Sequence, residues 1–131
     1  MKIFIILFCL TIISGCGDKE DPVVTDPEVA ILGKWEVIEN SLGPVATASQ
    51  YEEYKADSAL DIYRYAGGEL VHYKYWFSDS MLYKGGVFVD SYNDTIVIKE
   101  PYTFKFLSPD KLRMDFQYPA LVNWYIYQRK K

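Results

Sequence analysis

Between Leu112 and Gln117 the chain reads Leu-Arg-Met-Asp-Phe-Gln, apolar at every second position and polar between, the period of a strand with one wet face. Tyr102 to Phe106 repeats the pattern, and Ser108-Pro109-Asp110-Lys111 between them is turn chemistry, so the two segments are expected as a hairpin. Thr95 to Lys99 is strand-like and follows Asn93-Asp94, a pair that tolerates the left-handed conformations hairpin turns need. Gly67-Gly68 joins Leu60–Tyr65 to Leu70–Phe77 in another expected hairpin. A first strand falls at Trp35–Glu39, a last at Asn123–Arg129, and shorter segments at Met81–Lys84 and Val87–Tyr92; these nine short segments are read as an eight-stranded fold.

One stretch departs from this period. Residues 46–57 carry Ser49 followed three positions later by Glu52, the spacing of a capping box, and are rich in Ala, Gln, Glu and Lys. A short helix is expected here, with Tyr51 and Tyr54 on its inner side. Short strands joined by tight turns predict an all-β fold, an eight-stranded up-and-down antiparallel barrel with one short helix after the first strand. A β-sandwich is the alternative.

The N-terminus follows a different rule. Lys2 precedes an eleven-residue apolar run, Ile3 to Ile13, long enough for a signal segment and short of the ~20 residues a membrane span needs. The run ends in Ile13-Ser14-Gly15-Cys16, which resembles the bacterial lipoprotein signal with its acceptor cysteine. That resemblance implies removal of residues 1–15, lipidation of Cys16 and attachment to a membrane through acyl chains. The competing reading is an ordinary thiol beyond a conventional cleavage site.

Gly17 to Glu28 holds five acids, one Lys and two prolines, a composition that cannot bury enough apolar surface to order itself. Residues 16–28 are therefore read as lipidated cysteine plus tether, and 29–131 as one folded domain. The acidic run Asp18-Lys19-Glu20-Asp21 resembles the export signal that places some Gram-negative lipoproteins on the outer face of the outer membrane.

Charge and cysteine content then narrow the chemistry. The net charge of the 131-residue chain is -4, and the tether supplies all of it; Val29 to Lys131 carries thirteen acids against twelve bases. No basic footprint for nucleic acid exists. With Cys9 in the signal and Cys16 in the anchor, the domain has no free thiol, which excludes a disulfide, a cysteine zinc site and a cysteine nucleophile. The single His72 shares a strand face with Lys74 and lacks a recognisable catalytic partner; Glu52-Glu53 reads as a solvated pair, and calcium-loop spacing is absent. No cofactor or metal is expected.

The domain opens with Gly33-Lys34-Trp35 and closes with a strand ending in Arg129, a combination similar to the lipocalin superfamily and to small lipocalin-like domains of bacterial lipoproteins. The resemblance implies that Trp35 plugs one end of the barrel, that Gly33 permits the close backbone approach and that Arg129 covers the ring. The Thr-Asp-Tyr motif of that superfamily is missing, and the domain is shorter than a full lipocalin.

The remaining candidates are aromatic. Tyr63 and Tyr65, Tyr73, Tyr75 and Phe77, then Tyr102, Phe104 and Phe106 are expected either to line a greasy cavity with hydroxyl handles or to fill the barrel. Tyr63, Tyr65, Tyr73, Tyr75 and Phe104 are the ligand-binding candidates. Asp57-Ser58-Ala59, Asp79-Ser80-Met81 and Asp94-Thr95-Ile96 look like acceptors for O-glycosylation of exported proteins. The expected protein is a monomeric, non-enzymatic, lipid-anchored outer-membrane lipoprotein that binds a small apolar or amphipathic ligand or serves as an accessory domain. The alternative is a surface module that binds glycans or inhibits a secreted enzyme.

Overall fold

The computed structural model describes residues 26–131. The signal segment, Cys16 and the tether as far as residue 25 lie outside the described residues.

The strands are β1 (Gly33–Asn40), the two-residue β2 (Gly43–Pro44), β3 (Gln50–Tyr54), β4 (Ala59–Arg64), β5 (Glu69–Ser78), β6 (Met81–Val89), β7 (Thr95–Ser108), β8 (Lys111–Phe116) and β9 (Trp124–Arg129). Each long strand pairs antiparallel with the next, and β9 returns to β1 with Trp35 opposite Arg129. The result is a closed eight-stranded up-and-down barrel of lipocalin-like form, with β2 as a short appendage on β1. Closure satisfies the edges that an open sheet would expose and removes the sandwich alternative.

The count of eight is reached by a different route from the one expected. Segments 81–84 and 87–92 belong to the single strand β6, and 95–99 and 102–106 to the single strand β7. The expected helix over 46–57 is instead β3, and the one helical turn among the described residues, α1 (Pro27–Ala30), lies before β1. Helix propensity there is overridden by pairing on both sides, Gln50–Tyr54 against β4 and Gly33–Glu36 against β3. As a strand the segment sends Tyr51 and Tyr54 to opposite faces.

The turns carry the residues their geometry demands. Gly67 and Gly68 both have positive φ in the β4–β5 turn, as do Asp79 and Ser80 between β5 and β6, and Asn93 does so between β6 and β7. Gly85-Gly86, by contrast, makes no turn and sits inside β6.

Inward side chains fill one half of the barrel. Ile31, Trp35, Leu60, Leu82, Leu112 and Met114 are completely buried, with Phe77, Phe104 and Phe106 packed against them. The far end is looser. Beyond Lys74–Gly85 the pairing of β5 with β6 stops, while β6 and β7 continue together as far as Val89–Thr95. The β6–β7 hairpin therefore projects past the rim as a two-stranded arm.

Candidate functional site

At the closed end Trp35 and Arg129 form a seal. The guanidinium lies 4.2 Å from the Trp35 ring centroid, and the indole Nε1 donates to the Ile31 carbonyl at 2.6 Å. Arg129 Nη1 donates to the Leu32 carbonyl at 2.5 Å and Nη2 to Ala30 at 2.7 Å, so one side chain ties the N-terminal segment across the base. Gly33 has φ +110, and a Cβ there would stand 3.0 Å from Arg129 Nη1.

The mid-barrel holds an ion pair that the sequence reading passed over. Glu52 and Lys84 both face inward, 6% and 4% exposed, with Nζ 2.6 Å from Oε2. Tyr54 donates to Oε2 at 2.7 Å and Tyr127 to Oε1 at 3.1 Å. Burial pushes both hydroxyls well above the ordinary tyrosine range, and Glu52 beside them adds to the shift. They stay protonated and remain donors. Lys84 is further surrounded by the rings of Tyr102, Tyr127 and Tyr54, with centroids 4.7, 5.2 and 5.8 Å away. A signal was present: Lys84 has the same strand parity as the buried Leu82, which places a charge inside.

Above this pair the barrel opens into a mouth of about 270 Å³, bordered by Gln50, Arg64, Tyr73, Glu100, Tyr125 and the ion pair itself. It is polar, not the greasy calyx expected. Tyr73, Tyr75 and Phe104 do face inward, and Tyr75 donates to the Lys55 carbonyl at 2.7 Å.

Tyr63 and Tyr65 are a correction. They point outward, because the inward parity of β4 belongs to the aliphatics Leu60 and Ile62. Tyr63 stacks on Tyr51 at 5.3 Å, and Tyr65 meets both rings. Tyr65 also donates to Glu36, which Lys130 approaches to 2.8 Å; these two partners hold the Glu36 carboxyl below the usual carboxylate range.

His72 projects from the outer wall with its Nδ1 2.6 Å from Asp61 Oδ1, while Lys55 Nζ reaches Oδ2 at 2.5 Å. The two bases, Lys55 first, lower the Asp61 carboxyl from its ordinary value. Among the described residues no group of three or more His, Cys, Asp or Glu is placed to hold a metal, and no helix is long and apolar enough to cross a membrane. Ser58 and Ser80 are exposed at turns and Thr95 is exposed at the start of β7, and Asp57 Oδ1 accepts from the Ala59 amide, an ordinary turn role.

A larger cavity among the described residues, about 580 Å³, is in the wall where β5 and the β6–β7 arm diverge. Tyr73, Gly86 and Ile98 meet it from the inner side; Trp76, Val87 and Val97 from the outer. Its volume falls within the ordinary range of ligand sites. Val87, Val89 and Val97 are each about two-thirds exposed or more, an apolar surface that neither core nor neighbour covers. Gly85 is essential to its shape: a Cβ would stand 2.4 Å from the Ile98 carbonyl and 3.1 Å from the Trp76 ring.

Fold and site together define a small lipocalin-like barrel with a sealed base, a polar mouth and an apolar cleft in its wall. No protein-family model matches the chain, and no curated protein matches it.

Proposed function

We propose that this chain is a lipid-anchored binding protein of the bacterial cell envelope, held in the outer membrane through Cys16, whose barrel takes up a small apolar or amphipathic ligand without chemistry of its own. The observation that carries the reading is the wall cleft between β5 and the β6–β7 arm. It is the largest cavity described, it is mainly apolar, and Gly85 and Gly86 let the rings of Trp76 and Phe88 lie close against the β6 backbone that borders it. The barrel interior is a poorer candidate, since its closed half is packed solid and its mouth is polar.

Native mass spectrometry of the protein from its own cells tests the reading directly. A retained small molecule is expected; a protein carrying nothing beyond its anchor, and taking up no added amphiphile, would refute it. Replacing Cys16 with Ala is expected to release the protein from membranes, and persistence in the membrane fraction would remove the anchor.

A second reading has one observation in its favour. The exposed Val87, Val89, Tyr92 and Val97 of the projecting arm suit contact with another protein at the cell surface. Deleting the arm would then abolish partner capture while leaving small-molecule uptake by the barrel unmeasurable in both forms.

A further inference from the structure

The cleft reading leaves open what kind of head group an amphipathic ligand presents, and the cross-strand register speaks to it. Lys74 of β5 pairs with Gly85 of β6, and Gly85 pairs with Lys99 of β7. The two lysines thus flank Gly85 in one row, about 10 Å apart at two strand spacings. Both point outward, as the wall's parity requires, and both border the cavity.

Their surroundings are short of negative charge. Neither lysine forms an ion pair among the described residues. Asp61 on the neighbouring strand β4 is engaged by Lys55 and His72, and the acids of the arm, Asp90 and Asp94, lie at its far tip, where Asp90 caps its own turn. Lys99 instead lies over the Tyr83 ring at 4.5 Å and within 6.0 Å of Trp76, whose own ring covers Gly85. From this row the apolar pair Val87–Val97 leads along the arm.

We propose that the cleft is selective for single-chain acidic amphiphiles, the acid group seated between Lys74 and Lys99 over Gly85 and Trp76, and the acyl chain running against Val87, Val97 and Ile98. This rests on the cleft being the binding site. An anion between two unpartnered ammonium groups gains attraction that neutral or cationic head groups of equal chain length do not. The cleft is open to solvent along one side, and its volume of about 580 Å³ suits a single chain.

The test is a titration of the full chain carrying Cys16→Ala, followed at the indole N–H resonance of Trp76, which borders the cleft, and at the amide of Val97, which borders the cleft and not the smaller cavity beside Val29 that Trp76 also touches. The probes are sodium decanoate, decyl glucoside and decyltrimethylammonium, matched in chain length. Decanoate is expected to shift both resonances at the lowest concentration. Lys74→Gln with Lys99→Gln is expected to weaken decanoate about tenfold, since two exposed ionic contacts of ~0.7 kcal/mol each sum to one decade of affinity, and to leave decyl glucoside unchanged. Equal affinity for all three probes, unaltered in the double variant, would overturn the acidic selectivity while keeping the cleft as a site. Failure of every probe to move Val97 would overturn the cleft reading itself. Binding to phosphatidylglycerol vesicles without any response to decanoate would overturn the proposal in favour of a membrane surface.

Discussion

Trp35 and Arg129 are direct partners across the seam that closes the barrel, and the same guanidinium that covers the ring also binds two carbonyls of the entering chain. Seam, plug and N-terminal segment are therefore one unit. Replacing Arg129 with Ala removes a cation–π contact and two charge-assisted hydrogen bonds, an expected loss of about 2–4 kcal/mol. Arg129→Lys is expected to recover little of it, because an ammonium cannot lie flat on the indole and reach both carbonyls at once. Denaturant unfolding followed by tryptophan emission measures both, and a lysine variant as stable as the parent would contradict the account.

The Glu52–Lys84 pair makes a different kind of demand. Removing one member strands the other in the barrel at a cost of about 3–5 kcal/mol. Glu52→Leu and Lys84→Met made together are expected to cost less than the sum of the single changes, with a coupling of about 1–3 kcal/mol. Strict additivity in this cycle would mean that the two charges do not depend on one another.

Acid stability should carry the mark of Asp61. Its carboxyl is held low in the folded state by Lys55 and His72, so the unfolded chain binds the proton more readily. The contribution is then complete above the ordinary aspartate value of about 3.9 and is lost as pH falls through the lower, folded value. Asp61→Asn should flatten the acid limb of the stability curve in that window, and wild-type and variant should converge at the most acidic end. Parallel curves throughout would refute the assignment.

Gly85→Ala places a methyl against the Ile98 carbonyl, a backbone atom that cannot turn aside. The expected outcome is loosening of the β6–β7 pairing, seen as faster amide exchange from Gly85 to Val89 and from Thr95 to Lys99, with the sealed base unaffected. Unchanged protection in the arm would show that the strands accommodate the methyl group.

Much of this barrel was legible because its strands alternate cleanly. Leu112, Met114 and Phe116 on β8 and Tyr73, Tyr75 and Phe77 on β5 all face inward as their period requires. The turn at Ser108–Lys111 and the glycine pair at 67–68 also fall where their chemistry places them. The misreadings have physical reasons. Ser49 and Glu52 have helical spacing, but Glu52 is drawn inward by Lys84, thirty-two positions away, a pairing no local window contains. Tyr63 and Tyr65 were assigned by the weight of their rings, whereas Leu60 and Ile62 set the face. The cleft was invisible for another reason: it exists only because β5 pairs with β6 from Lys74 onward and not before it, and where pairing ends is decided by the whole closure of the barrel.

The seal at Arg129 also fixes which way the molecule stands. Ala30 and Leu32, near the start of the described chain, and Arg129, near its finish, meet at the same pole, with the polar mouth and the projecting arm at the other. Asp26, whose carbonyl accepts from the Ala30 amide, stands at this same base. A chain fastened by either terminus would hold its mouth and cleft outward, facing whatever approaches from the side opposite its attachment.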